Sequence, residues 1–249
     1  MKNVCLIKSF NEDKTHKNHI IFICDHATNK IPRKFKNLGL KKKNLKSHIA
    51  FDIGAADLSI GLAKKLKQTC LLSNFSRLLI DPNRELNDPS LIPCSSFGIE
   101  IPGNTKINNK NRFARINKFY KPYHLSLSGE IKKIKSKFKK IFLISIHSFT
   151  KKSKKFDRGY ELGLLWNDSM NLLLPIQRKL NEMHVHYGRN YPYSGFHFNF
   201  TLDKINKNEQ KKLDNISIEV RNDLICSKKG IKKYINILSN IFKEFLNDK

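Results

Sequence analysis

The chain lacks the features that would sort it fastest. No apolar run approaches the roughly 18 residues a membrane helix needs, and the opening stretch "MKNVCLIKSFNEDK" has no long apolar core, so neither a signal peptide nor a span is expected. There is no HExxH, no GxSxG and no phosphate-binding glycine loop, which removes the commonest metalloprotease, serine-hydrolase and nucleotide-binding mechanisms. Cysteines number five, at 5, 24, 70, 94 and 226, and no two form a CxxC pair. An odd count without pairing points to a reducing compartment and against a cysteine-ligated zinc. A cytoplasmic protein is the expectation.

Acidic residues are scarce as well, 21 against 48 basic ones, for a net charge of +27. Arginine occurs only nine times, which leaves 39 lysines among the 48. Where plain positive charge suffices the sequence writes Lys, so each Arg is a candidate for planar, paired hydrogen bonding. The runs "KKKNLK" (41–46), "KKIKSKFKK" (132–140) and "KKSKK" (151–155) separate apolar segments. They read as solvated surface or, in a second reading, as a patch for nucleic acid or an acidic membrane.

With 249 residues, no internal repeat and no Pro- or Gly-rich linker, one domain over 1–249 is expected. Short apolar runs predict buried strands at 19–24, 69–80, 140–146, 160–166 and 216–220. Helical spacing marks 56–67, with Leu58, Leu62 and Leu66 on one face, and also 170–183 and 231–247, with Pro175 in a first turn or at a kink. Apolar strands alternating with amphipathic helices predict an α/β fold with a mostly parallel or mixed central sheet flanked by helices. Ligands in such sheets bind beyond the carboxyl ends of the strands.

Chemistry-bearing residues stand at those ends. The first strand runs out at Asp25 and His26, the third at His147 and Ser148, and "ISIEVRND" carries Glu219 and Arg221. A carboxylate inside an apolar strand must be paired or used. Two imidazoles and a carboxylate meeting at one mouth suit a catalytic zinc, which leaves a coordination position open. In "SHIAFDIGAADL", His48 and Asp52 are four apart, and Asp52 is a helix cap or a metal-site residue. "SRLLIDPNRELNDP" holds Arg77, Asp81, Asn83 and Arg84, which read as a carboxylate clamp or as an Arg–Asp pair within a turn. Asn104, Arg112 and Arg115 follow, in a loop and the start of a helix, while His124 fits neither a site nor the core decisively.

The segments "DHATNKIP", "HIAFDIGA", "FSRLLIDPNR", "IPGN", "YKPYH", "SIHSFT", "NYPYSG" and "IEVRNDLI" occur in an order that resembles the N-formylglutamate amidohydrolase family, over about residues 20–240. The resemblance implies a fold like the zinc exopeptidases and metal-assisted hydrolysis of a small acidic N-acyl amino acid, N-formylglutamate first. Comparison with the more distant zinc carboxypeptidases implies His26 and His147 as zinc ligands, Glu219 as general base, and Arg84 with Arg77 on the substrate carboxylate; Asn83, Asn104, Arg115, Ser148 and Arg221 complete the implied substrate-binding set. Those enzymes carry a liganding Glu where this chain has Asn29, so the third ligand is expected from Asp52 or, second, Asp25. Three departures from the family's pattern are Asp25 for Glu, "RGY" (158–160) after the "HSFT" segment, and no His near 203–206. The open alternatives are a metallohydrolase for another N-acyl amino acid or peptide-like amide, and a basic protein that binds nucleic acid or anionic surfaces on a degenerate hydrolase fold.

Overall fold

The computed structural model describes residues 3–10, 16–153, 157–207, 209 and 212–246. Lys154 and Lys155 of the third lysine run therefore lie outside the described residues, as do residues 11–15, residues 208, 210 and 211, and the last residue of the expected 231–247 helix.

The strands are β1 (Cys5–Ser9), β2 (Asn18–Cys24), β3 (Thr69–Ser73), β4 (Ser95–Ser96), β5 (Ile99–Glu100), β6 (Lys140–Phe149), β7 (Leu162–Leu165), β8 (Tyr187–Arg189) and β9 (Asp214–Arg221). The α-helices are α1 (Lys42–Leu45), α2 (Ala55–Leu66), α3 (Asn109–Arg115), α4 (Lys121–Lys135), α5 (Met170–Glu182), α6 (Gly195–Phe198), α7 (Phe200–Lys207) and α8 (Lys228–Leu246). Seven strands form one mixed sheet in the order β1-β3-β2-β6-β9-β7-β8, and β4 pairs with β5 in a separate hairpin. The four central strands β3, β2, β6 and β9 are parallel, β1 runs against β3 and β7 against β9, and β8 runs with β7.

Alternation along the central strands divides the core. Ile20, Phe22 and Cys24 face the layer of α2, α5 and α8, while Ile21 and Ile23 face the layer that contains α4 and α7. Two buried apolar faces explain why β2 reads as a continuous apolar run. The same alternation is the key to the site. In β6, Ile144 and Ile146 go to the α2/α8 side, and in β9 Ile216, Ile218 and Val220 do the same. Ser145 and His147, and across from them Ser217 and Glu219, therefore share the opposite face.

The expected strand over 69–80 stops at Ser73. The following segment is a buried loop, with Leu78, Leu79 and Ile80 in the core and its backbone satisfied locally and by neighbours: Ser76 N to Lys30 O at 2.8 Å, Leu79 N to Ser76 O at 2.9 Å and Asp81 N to Leu91 O at 2.7 Å. Apolar runs report burial, and here burial and strand part company. Pro175 is not in the first turn of α5 but inside the helix, the placement of the kink alternative. The hydrogen bond it forgoes would have gone to the carbonyl of Asn171, an exposed residue, so water can take that role.

All five cysteines are free thiols. Among the described residues no helix is long and apolar enough to cross a membrane.

Candidate metal centre and cleft

A cavity of about 230 Å³ opens at the carboxyl ends of β2, β6 and β9. His26 stands two residues beyond the end of β2, and its carbonyl accepts from Asp52 N at 2.9 Å, which ties the segment before α2 to the end of the strand. That tie brings the Asp52 side chain between two imidazoles. Its Oδ2 lies 3.3 Å from His26 Nδ1 and 2.9 Å from His147 Nδ1. The other carboxylate oxygen, Oδ1, accepts from Arg77 Nη1 at 3.1 Å.

Each imidazole is held from behind. His26 Nε2–H donates to Asp81 Oδ1 at 2.8 Å. His147 Nε2 meets Ser145 Oγ at 3.0 Å and lies 3.7 Å from Asp25 Oδ2. Anchoring the Nε2 side turns both Nδ1 atoms toward Asp52, the arrangement by which outer partners orient metal-ligating histidines. Ligand atoms of His26, Asp52 and His147 lie within 4.8 Å of one another, and all three residues are buried. Among the described residues this is the one such group. Two imidazole nitrogens, one carboxylate oxygen and an open side toward a cavity match the donor chemistry of a catalytic divalent ion, so this group could hold a metal.

Glu219 completes the cleft. The register of the parallel pair places it beside His147, and its Oε2 is buried with no hydrogen-bond partner. Burial pushes the carboxyl up to about 7, against the pull of His147. Burial also opposes charge on His26, but the Asp81 and Asp52 carboxylates outweigh it and raise the imidazole to about 9. Asp52 shows the reverse balance: burial would raise it, yet His26 and Arg77 hold it well below the usual carboxylate range. A carboxylate held ionised and a neighbour poised near neutrality are the environments expected of a ligand and a base.

Several sequence expectations need correction. Asp52 is not a helix cap, because the N-cap of α2 is Gly54 and the carboxylate points into the cleft instead. An Arg–Asp pair does form within this turn, between Arg84 Nε and Asp88 Oδ2 at 3.8 Å, whereas Asp81 partners His26 and accepts from Asn83 N at 2.9 Å. Arg77, expected on a substrate carboxylate, lines the cleft but spends its donors on Asp52, on Ile49 O at 3.1 Å and on His48 O at 2.8 Å. Asn104 and Arg115 lie outside the cavity in the packed interior. Arg115 Nη1 donates to Leu79 O and Asn104 Oδ1, Nη2 donates to Gly103 O, and Asn104 Nδ2 donates to Leu78 O and Pro93 O. Arg221 pairs with Asp223 beyond β9 and does not line the cleft. Arg115 and Asn104 thus brace the packed interior, and truncation should show it: Arg115→Met, which strands two buried oxygens and the part-buried Gly103 carbonyl, is expected to cost about 2–4 kcal/mol in chemical denaturation while leaving KM unchanged.

The remaining residues fall as follows. Ser148 lines the cleft, donates Oγ–H to Ile53 O at 2.9 Å and directs its amide to Asp52 Oδ2 at 3.4 Å. Asn83 lines the cleft but bridges two segments, donating to Phe198 O and accepting from Thr201 N. Asp25 is fully buried behind His147 and accepts from Tyr123 O–H at 2.7 Å. Asn29 points away, to Leu45 O at 2.7 Å. Arg84 donates to Ser90 Oγ and Asn83 O and lies over the Phe198 ring at 5.4 Å; among the described residues no hydrogen bond engages its Nη2. His124 is a buried prop whose Nε2 lies 3.0 Å from Pro82 O. The stretch 203–206 sits in α7, where Asp203 accepts from Asn167.

Three further parts of the wall were not among the expected site residues, although Tyr193 lies within the "NYPYSG" segment. The β4–β5 hairpin lays Ser95, Ser96 and Phe97 over the opening, Phe198 comes from α6, and Tyr193 comes from the loop after β8. Two-residue strands carry no periodicity, so only the Phe97-Gly98 turn, both residues at positive φ, hinted at the hairpin.

A mixed α/β sheet thus carries, at its carboxyl edge, a cleft with a buried His–Asp–His group that could hold a metal and an adjacent buried glutamate. The sequence profile of the N-formylglutamate amidohydrolases matches residues 18–226. The chain belongs to the N-formylglutamate amidohydrolase family, and is in that sense an amidohydrolase. Among solved structures it is similar to the gene product Atu2144 from Agrobacterium tumefaciens, with 29% identity, 97% of this chain and 94% of that one covered, and a TM-score of 0.88. It shares the fold of the N-formylglutamate amidohydrolase from Ralstonia eutropha JMP134 at 18% identity, with 98% of each chain covered and a TM-score of 0.68. No curated protein matches the chain.

Proposed function

We propose that the protein hydrolyses the amide bond of a small acidic N-acyl amino acid, N-formyl-L-glutamate first, with one divalent metal, zinc first, held by His26, Asp52 and His147. The observation that carries this reading is the Asp52 carboxylate between two Nδ1 atoms with Glu219 beside His147. A divalent ion held by these three residues would supply Lewis acidity toward an acyl carbonyl and toward water.

The chain's own residues do the rest. Glu219 accepts the proton of the attacking water and returns it to the leaving nitrogen as the C–N bond breaks, giving formate and glutamate. Arg84 offers Nη2 to the substrate carboxylate, its guanidinium already fixed by Ser90, Asn83 and Phe198. Arg77 holds Asp52 ionised through Oδ1 and keeps Oδ2 turned toward the two imidazoles. Asp81 and Ser145 fix the two imidazoles.

Metal analysis of the purified protein together with a panel of N-acyl-glutamates and N-acyl-aspartates tests the proposal. One equivalent of metal is expected, with turnover lost to a chelator and restored by Zn²⁺. Full activity in metal-free protein would overturn the metal's role. Asp81→Asn should leave the fold intact and weaken zinc by about 10–100-fold in competition with a chromogenic chelator, because His26 loses its charged partner.

A further inference from the structure

The loop 190–194 between β8 and α6 brings Tyr193 to the wall of the cleft. None of the steps above uses this phenol. Its loop is pinned at both ends. Asn190 Oδ1 accepts from Trp166 N at 3.0 Å and from Gly195 N at 2.8 Å, while Asn190 N donates to Leu164 O at 2.8 Å. Two glycines permit the close approach: a Cβ at Gly163 would lie 2.0 Å from Tyr191 O, and one at Gly195 would lie 2.4 Å from Trp166 N.

The side chain is fixed as firmly as the backbone. Arg158 stacks over the Tyr193 ring at 5.2 Å, and its Nη2 donates to the phenol oxygen at 3.4 Å. Phe198 meets the same ring at 5.4 Å. Arg158 is itself anchored, donating through Nη1 to Thr150 O and lying over Phe149. A phenol oxygen that accepts from a guanidinium keeps its own O–H to give elsewhere. Burial, and after it the charge of Glu219, raises the phenol's pKa, so that proton is present at neutral pH. A fixed donor in a sheltered cleft is the arrangement that stabilises an oxygen gaining negative charge, because nothing need reorganise when the charge arrives.

We infer that Tyr193 is a further catalytic residue, donating its O–H to the acyl carbonyl oxygen as charge builds there, and that Arg158 is the positioning residue that aims it. The inference rests on the amide-hydrolysis reading above. Tyr193 keeps its proton throughout, so the stoichiometry of the reaction is unchanged.

The test is steady-state kinetics of Tyr193→Phe, which preserves the ring and its stacking, on N-formyl-L-glutamate and the same N-acyl panel. kcat should fall about 100-fold, with KM and bound metal within about twofold of wild type. The variant's affinity for a tetrahedral phosphonate analogue of the substrate should fall by a similar factor, and its affinity for the product glutamate should not. Arg158→Met should lower kcat by about tenfold without moving KM, and Arg158→Lys should recover part of that loss, which a purely structural role would not produce. Wild-type kcat in Tyr193→Phe, or a loss confined to KM, overturns this inference alone. A wild-type protein that turns over none of the N-acyl panel overturns the functional reading, and this inference with it.

Discussion

Glu219→Gln is expected to lower kcat by about a thousandfold while the protein still carries its metal. General-base catalysis contributes about 10²–10⁴-fold, and glutamine preserves the volume and burial of the side chain while removing its basicity. The site makes the prediction strict. Glu219 is buried, one of its oxygens has no partner, and its carboxyl is raised to about 7, so it is poised to take a proton near neutral pH. It stands beside His147 in the paired strands but is not one of the three residues that gather around Asp52 Oδ2. Metal content should therefore be unchanged. Steady-state kinetics and metal quantification on the same preparation check both halves, and a variant within tenfold of wild-type kcat would remove Glu219 from the mechanism.

Asp52→Asn is expected to abolish stoichiometric metal binding and with it activity. Asp52 is the one charged donor of the group, and an amide oxygen is a weak substitute for it. The same change removes the one carboxylate that, among the described residues, pairs with the Arg77 guanidinium, whose Nη1 donates to Asp52 Oδ1 at 3.1 Å and whose other donors meet only backbone carbonyls. Breaking one side of a buried pair costs about 3–5 kcal/mol, so the variant should also unfold at lower denaturant. The two effects are separable: Arg77→Met should share the destabilisation yet keep part of the metal affinity, because Oδ2 remains between the imidazoles. Equal metal loss in both variants would show that the ion depends on general packing rather than on the carboxylate.

The parallel centre of the sheet was legible because its strands are buried on both faces, and burial is what apolar runs report. The placement of the candidate site was legible for a related reason. "SIHS" and "SIEV" place Ser145, His147, Ser217 and Glu219 at alternate positions among isoleucines, so a shared polar face follows from the period of two alone. Partners were harder. That Asp81 serves His26, and that Arg77 serves Asp52, depends on a buried loop with no regular period, and the choice between Asp25 and Asp52 depends on the one hydrogen bond from Asp52 N to His26 O. Asn104 and Arg115 looked like binding residues because Arg is rare in this chain, but a buried guanidinium that closes on backbone carbonyls is an equally good reason to prefer Arg over Lys. Of the lysine runs, 41–46 is exposed or half-exposed around α1, as solvated surface would be.

The pairing of His147 with Glu219 has a consequence for how the protein matures. A slip of β9 by one residue against β6 would send Glu219 to the α2/α8 layer and bring an isoleucine or valine to the cleft. The segments that carry residues 26, 52, 147 and 219 are far apart along the chain, so a half-assembled sheet has no site to offer. A ligand of this centre would recognise only the finished register, and by mass action its free energy would add to the stability of that register over every shifted competitor. Metal supplied during refolding would then act as a proofreader of strand alignment, raising the yield of correctly paired protein rather than merely switching it on.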